Sequence, residues 1–337
     1  MKLLVTALLT AFAFAFSASA QPVTINGAGA TFPYPIYTKW FSEYRKIDPN
    51  AQINYQSIGS GGGISKLIDE TVDFGASDAP MKDDEIAKVK AGVVHIPTVI
   101  GSVVVAYNVP GVTDLKLDAA TIEGIYLGEI KKWSDPKIAA LNPTSKLPDT
   151  AILPVYRSDG SGTTAIFTDY LSKAGANWKA KVGDGKAVKW PVGIGSKGNE
   201  GVTGSIKSTP GSIGYIELAF AEQNKLAVAA IKNKSGKFVM PSSTTVSAAA
   251  AGSLKAMPAD FRVSITNAEG ANAYPISGFT YLLVPKTLKG EKGKKLVAFL
   301  GWAMGPGQFM AAPLSYAPLP AALIEKVKSK VKEIKVE

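Results

Sequence analysis

The chain is 337 residues long and 46% hydrophobic, enough to bury a sizeable core and to suggest about two domains. It has no Cys and a single His, His95, which speaks against a disulfide-stapled fold and against a zinc or copper site. The formal charge is +10, but the Lys are mostly scattered, so the charge reads as solvated surface rather than a nucleic-acid patch.

The first twenty residues set the compartment. Lys2 gives a basic start, Leu3 to Phe16 an uncharged apolar run, and Ala18-Ser19-Ala20 a small-residue cleavage signal. An export leader over 1–20, with the mature chain starting at Gln21, is expected. The run is shorter than the roughly 20 apolar residues of a spanning helix, and no Cys follows it to carry a lipid. A periplasmic protein is the simplest reading, and export also argues against a nucleic-acid partner.

Short apolar strands then alternate with helical patterns, which predicts an α/β fold. Val23 to Asn26 reads as a strand leading through Gly27 to Ala30 into a helix from Pro33 to Lys46, with Pro33 suited to a first turn. Gln52 to Ile58 is the next strand. The glycine run Gly59 to Gly63 follows and opens a helix through Ile64, Leu67 and Ile68. Val72 to Ala76 is a third strand, ending at Ser77-Asp78-Ala79-Pro80. Val94 to Val99 and Val103 to Tyr107 continue the sheet.

Further on, Asp118 is placed to cap a helix through Ile122 and Ile125 that ends near Gly128. Ile152 to Tyr156 is a strand followed by Arg157-Ser158-Asp159-Gly160-Ser161-Gly162-Thr163-Thr164. The helix after it carries Ile166, Phe167, Tyr170 and Leu171 on one face. Ser212 to Ile216 and Thr280 to Val284 read as strands. Lys292 to Met304 and Ala321 to Glu333 read as helices, with Lys326, Lys328, Lys330, Lys332 and Lys335 marking the wet face of the terminal segment. No linker separates two domains, which suggests that the chain crosses between them more than once.

Three segments share one design, a strand, a Gly/Ser/Thr stretch and a helix start: Gly27 to Phe32, Gly59 to Gly63, and Asp159 to Thr164. A helix N-terminus offers unpaired N–H groups and a positive dipole end, glycine lets a ligand approach the backbone, and hydroxyls add donors. Any one of them reads as an ordinary capped helix; the three together, with Arg157 and Asp78 beside them, point to a small tetrahedral oxyanion. A carboxylate such as Asp78 belongs in an anion site where the ligand has a proton to donate; otherwise Asp78 would merely cap the turn at Pro80.

The stretches GAGATFPYPIY, IGSGGG, TVDFGASDAP, IPTVIG, YLGEIKKW, RSDGSGTT and KWPVGIGSKGNEG, in this order, resemble the phosphate-binding protein family of Pst-type phosphate ABC transporters. The resemblance covers nearly all of the mature chain. It implies a type II periplasmic-binding fold, with two α/β lobes joined by two crossing segments and phosphate held in the cleft between them. The lobes expected are 21–99 plus 275–337 and 100–274. It implies a phosphate ligand set of Thr31, Phe32 (through its N–H), Ser60, Asp78, Arg157, Ser161, Gly162 and Thr163, with Asp159 holding Arg157. The family often has a second Ser where this chain has Gly61, which is not counted as a ligand. The partners implied are inorganic phosphate and the membrane permease of the importer, with the protein a monomer, no cofactor and no catalytic role.

Other signals are weaker. Gly193 to Gly198 matches G-x-G-x-x-G, with Glu217 at a tempting distance, but the preceding strand is poor and a structural loop is expected there. No G-x-S-x-G elbow surrounds Ser60 or Ser161. His95 and Trp40, Trp133, Trp178, Trp190 and Trp302 are expected to be packing or surface residues. Rival readings are a secreted phosphatase using the same pocket, a binding protein for sulfate or molybdate, and an adhesin. The first lacks a nucleophile–base pair or metal pair, and the last lacks repeats and disulfide modules.

Overall fold

Runs rich in β-branched and aromatic residues form the strands here, and runs with helical periodicity pack their apolar faces on the sheet. The computed structural model describes residues 22–254 and 257–337; the expected export leader lies outside them. In chain order come β1 (Val23–Gly29), α1 (Tyr34–Ile47), β2 (Ala51–Ser57), α2 (Ser60–Ile68), β3 (Phe74–Ser77), α3 (Asp83–Ile86) and β4 (Val93–Tyr107). The middle holds β5 (Lys116–Leu117), α4 (Ala119–Tyr126), α5 (Pro136–Leu141), β6 (Leu153–Arg157), α6 (Gly162–Ala174), α7 (Trp178–Lys181), β7 (Ile194–Ser196), α8 (Gly198–Ser208), β8 (Ser212–Glu217) and α9 (Leu218–Gln223). The rest comprises β9 (Ala227–Val228), β10 (Ala230–Lys232), β11 (Phe238–Val239), α10 (Ser243–Ala251), β12 (Ser277–Pro285), β13 (Thr287–Leu288), α11 (Gly290–Ala303), α12 (Ala321–Val331) and β14 (Lys335–Val336).

The main sheet runs β2-β1-β3-β12-β4-β8-β6-β7, with β9 also on β4. In one half, β1 pairs in parallel with β2 and β3. In the other, β6 pairs in parallel with β7 and β8. The antiparallel strands β12 and β4 lie between the two halves. β4 pairs with β12 over Val93–Ser102 and with β8 over Val103–Tyr107, so one strand belongs to both halves.

The sequence predicts two strands where β4 is continuous. Pro97 and Gly101 look like breakers, but each is accommodated. The register shifts by one residue beside Pro97, which lacks a ladder donor. At Gly101 a Cβ would come within 2.5 Å of the Phe32 ring, so glycine lets that ring pack directly against the strand. β4 is buried along its whole length, as a central strand covered on both faces should be.

Trp40, Trp133 and Trp178 are fully buried in the core, and Trp190 and Trp302 pack against it. His95 is buried too, and its Nε2 accepts the Met81 N–H at 3.0 Å. On α12, Leu323, Val327 and Val331 face inward and leave Lys328 and Lys330 to pair with Glu325 and Glu333 at the surface.

Candidate functional site

Five strands, three from one parallel set and two from the other, end at one place. β1, β2 and β3 arrive from one half of the sheet, and β6 and β7 from the other. Crevices at the carboxyl ends of such strands are where α/β sheets hold ligands. Four of the five run directly into helices: β1 into α1, β2 into α2, β6 into α6 and β7 into α8.

The glycines explain how close these elements come. The run Gly61 to Gly63 forms the first turn of α2, so the glycine run opens the helix from within it. A Cβ on Gly63 would stand 2.5 Å from Gly29 Cα, so only glycine allows this turn to rest on β1. Gly59, with φ of +89°, turns the chain into the helix.

The predicted site residues come together. Ser60 Oγ accepts the N–H of Gly162 at 3.0 Å and the N–H of Asp78 at 3.2 Å, and it donates to Asp78 Oδ2 at 3.4 Å. Arg157 donates through Nε and Nη2 to Asp159 at 2.8 and 2.6 Å, and through Nη1 to Thr163 Oγ1 at 3.2 Å. The ring of Phe32 is buried and its carbonyl accepts the Tyr316 hydroxyl at 2.6 Å. Ser161 caps α6: its Oγ accepts the Thr164 N–H at 3.0 Å, and its own N–H goes to Lys186 O at 2.8 Å. Its side chain is thus committed first to the helix. The N–H groups of Phe32, Ser60 and Thr163 have no acceptor among the described residues, although all three residues are buried. Buried N–H groups ordinarily find a partner, so these three remain available to an oxyanion.

The two halves also touch directly. Gly61 N–H donates to Gly160 O at 2.8 Å, and Lys186 pairs with Glu85 at 2.7 Å. Asp78 and Arg157 are each 4% exposed. The larger cavities, one of about 470 Å³ beside His95 and Arg262 and one of about 570 Å³ beside Val72 and Leu296, lie away from these groups.

Charge in the site is finely set. Burial pushes the Asp78 carboxyl up to about 7, against the pull of the Thr280 hydroxyl, the Arg157 charge and the Ser60 hydroxyl. Burial also works to raise Asp159, but the hydrogen bonds and charge of Arg157 outweigh it and hold that carboxyl below its usual range. Burial drops His95 to about 4, so its imidazole is neutral at neutral pH.

Sequence reasoning missed two contributors. Thr280 on β12 donates to Asp78 Oδ1 at 2.8 Å; a single Thr in an apolar strand gives no signal. Asn199 is fully buried and binds both Thr31 and Thr163. Its stretch, read as a structural loop, is instead the edge strand β7 turning at Gly198 (φ of +72°) into α8. It repeats the strand–glycine–helix design of the other three, and that repetition was the available signal. Glu217, which tempted a dinucleotide reading, has its carboxyl buried at the start of α9, where Oε2 accepts the Ala219 N–H at 2.7 Å.

Donors gather here around the buried carboxylate of Asp78, while the Asp159 carboxylate is taken up by Arg157, an arrangement suited to holding an oxyanion that keeps a proton. Among the described residues no group of three or more His, Cys, Asp or Glu could hold a metal ion.

A family model described as the PBP superfamily domain matches residues 17–306. The chain is 46% identical over 330 residues to the phosphate-binding protein PstS of Pasteurella multocida, covering 97% of this chain and 95% of that one. It is 46% identical over 316 residues to the protein of that name from Haemophilus influenzae, covering 93% and 94%. Among solved structures it is similar to a high-affinity periplasmic phosphate-binding protein bound with phosphate, with a TM-score of 0.72 and 21% identity over 91% of this chain and 93% of that one. A putative phosphate ABC transporter substrate-binding protein with bound phosphate from Clostridium perfringens gives 0.64 and 16%, covering 88% and 100%. At those identities the structural likeness speaks for the fold.

Proposed function

Because this chain belongs to the PBP superfamily and, within it, to the phosphate-binding proteins named PstS, we propose that it captures inorganic phosphate and delivers it to the membrane permease of an ABC-type importer. Its architecture is the α/β type II periplasmic-binding fold. We read the halves of the sheet as two lobes, 21–99 plus 275–337 and 100–274, and place the protein in the periplasm after loss of its leader.

The observation that carries the reading is the gathering of unpaired buried N–H donors and Arg157 at the loops that also hold the buried carboxylate of Asp78. The ligand set we propose is Thr31, Phe32, Ser60, Asp78, Arg157, Ser161, Gly162 and Thr163, with Asp159 steadying the guanidinium. Helix N-termini and Arg157 balance the anion's charge, and the short Gly/Ser/Thr turns let the backbone reach its oxygens. Asp78 accepts the hydrogen bond of the oxygen that keeps its proton. Capture then proceeds by closure: the anion bridges loops from both lobes, and expulsion of water strengthens each hydrogen bond. The Gly61–Gly160 and Glu85–Lys186 contacts belong to that closed state. No covalent step is needed.

Solution scattering of ligand-stripped protein, with and without phosphate, tests the closure. One phosphate per chain should compact the molecule; an unchanged profile at saturation would count against it.

A further inference from the structure

The amide of Asn199 has its orientation imposed by the backbone. Its Oδ1 accepts the Glu217 N–H at 2.9 Å. Turning the amide over would set its NH2 against that N–H, donor against donor, so Nδ2 must face the cleft. Its two protons go to Thr31 Oγ1 at 2.6 Å and Thr163 Oγ1 at 3.1 Å. Each of these hydroxyls has a second donor. Thr31 Oγ1 accepts the Asn199 N–H at 3.1 Å, and Thr163 Oγ1 accepts from Arg157 Nη1 at 3.2 Å.

A hydroxyl has two lone pairs and one proton. In both threonines the lone pairs are filled by donors, so each O–H is left to donate elsewhere. The geometry points to Asn199 as a specificity-determining positioning residue that locks the hydroxyls of Thr31 and Thr163 as proton donors toward the bound anion. The inference rests on the phosphate reading of the site and deepens it. Thr31 belongs to one half of the molecule, Thr163, Arg157 and Asn199 to the other, so the Thr31 part of the lock forms when the halves meet, while the Thr163 part is built within one half. It divides the site into fixed donors on one side and one acceptor, Asp78, on the other. A ligand oxygen that keeps its proton then has one place to go.

The test is a double-mutant cycle read by calorimetric phosphate affinity. Asn199→Ala frees both hydroxyls to rotate and should weaken phosphate about tenfold. Asn199→Asp still accepts the Glu217 N–H but turns both hydroxyl protons toward itself. Its loss should exceed about a hundredfold. On a Thr31→Val or a Thr163→Val background the cost of Asn199→Ala should shrink by at least about threefold, because one of its two targets is gone. The same cost on all backgrounds would show that Asn199 merely supports the fold. So would an Asn199→Asp protein that binds as well as Asn199→Ala. If Asn199→Asp does not fold, the Asn199→Ala cycle decides alone. Wild-type protein that takes another anion in place of phosphate would overturn the phosphate reading, while the same cycle run with that anion would still decide the role of Asn199.

Discussion

The hydroxyl of Thr280 donates to Oδ1 of Asp78 at 2.8 Å, from a strand on the opposite side of β3 from β1. One carboxylate oxygen is thereby fixed, and the other is turned toward Ser60 and Gly162. An acceptor held in this way suits a ligand that has a proton to give and repels one that has none. Asp78→Asn should therefore erode the preference for phosphate over sulfate by at least about a hundredfold, with sulfate gaining, since an amide can rotate to donate. Competition titrations with both anions measure the ratio. A ratio equal to that of wild type would remove Asp78 from the selectivity account.

The pH response of the ligand-free protein should have a definite sign. Burial raises Asp78 from 3.8 to about 7, so between those values the folded chain holds a proton that the unfolded chain does not. Stability from this group is greatest below the lower value and falls as pH rises through the window. That rise in the folded state corresponds to about 4 kcal/mol. Thermal melts of wild type and Asp78→Asn at about pH 5 and 8 isolate the effect: wild type should lose more over that rise. Parallel curves would show that the carboxyl is not strained by burial.

Gly162 leaves no room for a side chain. A Cβ there would meet Ser60 Oγ at 2.4 Å and Asp78 Oδ2 at 2.5 Å. Gly162→Ala should weaken phosphate binding by about 10- to 100-fold, as overpacking a tight site does. Gly61→Ala is milder, because its nearest neighbour, Gly160 Cα, would stand at 3.1 Å. Calorimetry on both variants orders them; an equal or reversed order would mean that the loops do not approach this closely when the anion is bound.

Much of this was legible because short-range chemistry dictates it. Strand ends rich in Gly, Ser and Thr announce helix N-termini, and Ser60, Arg157 and Thr163 sit where that chemistry puts them. Thr280 and Asn199 were not legible, because their roles come from topology. β12 returns from far along the chain to lie beside β3, and α8 brings Asn199 against Thr31, 168 residues away. β4 was split in the sequence reading because a Pro and a Gly suggest breaks, and only a bulge and a neighbouring Phe32 ring explain why the strand continues.

Arg157 makes three directed hydrogen bonds, two to Asp159 and one to Thr163. A Lys retains the charge but cannot reproduce that planar fork. Arg157→Lys should weaken phosphate binding about tenfold or more. Asp159→Asn should lower thermal stability as well as affinity, since it leaves a buried guanidinium short of its partner and loosens the Gly198 N–H that donates to Asp159 at 3.0 Å. Stability that is unaltered in Asp159→Asn would mean that the pair is incidental.

Selective capture of phosphate is decided by a calorimetric titration of ligand-stripped protein with phosphate, sulfate and a phosphate monoester under one buffer condition. The account predicts one tightly bound phosphate per chain and far weaker heats from the other two, because sulfate brings no proton to Asp78 and a monoester cannot fit between loops that touch at Gly61 and Gly160. Sulfate or monoester binding as tight as phosphate, or no phosphate uptake at all, would contradict it.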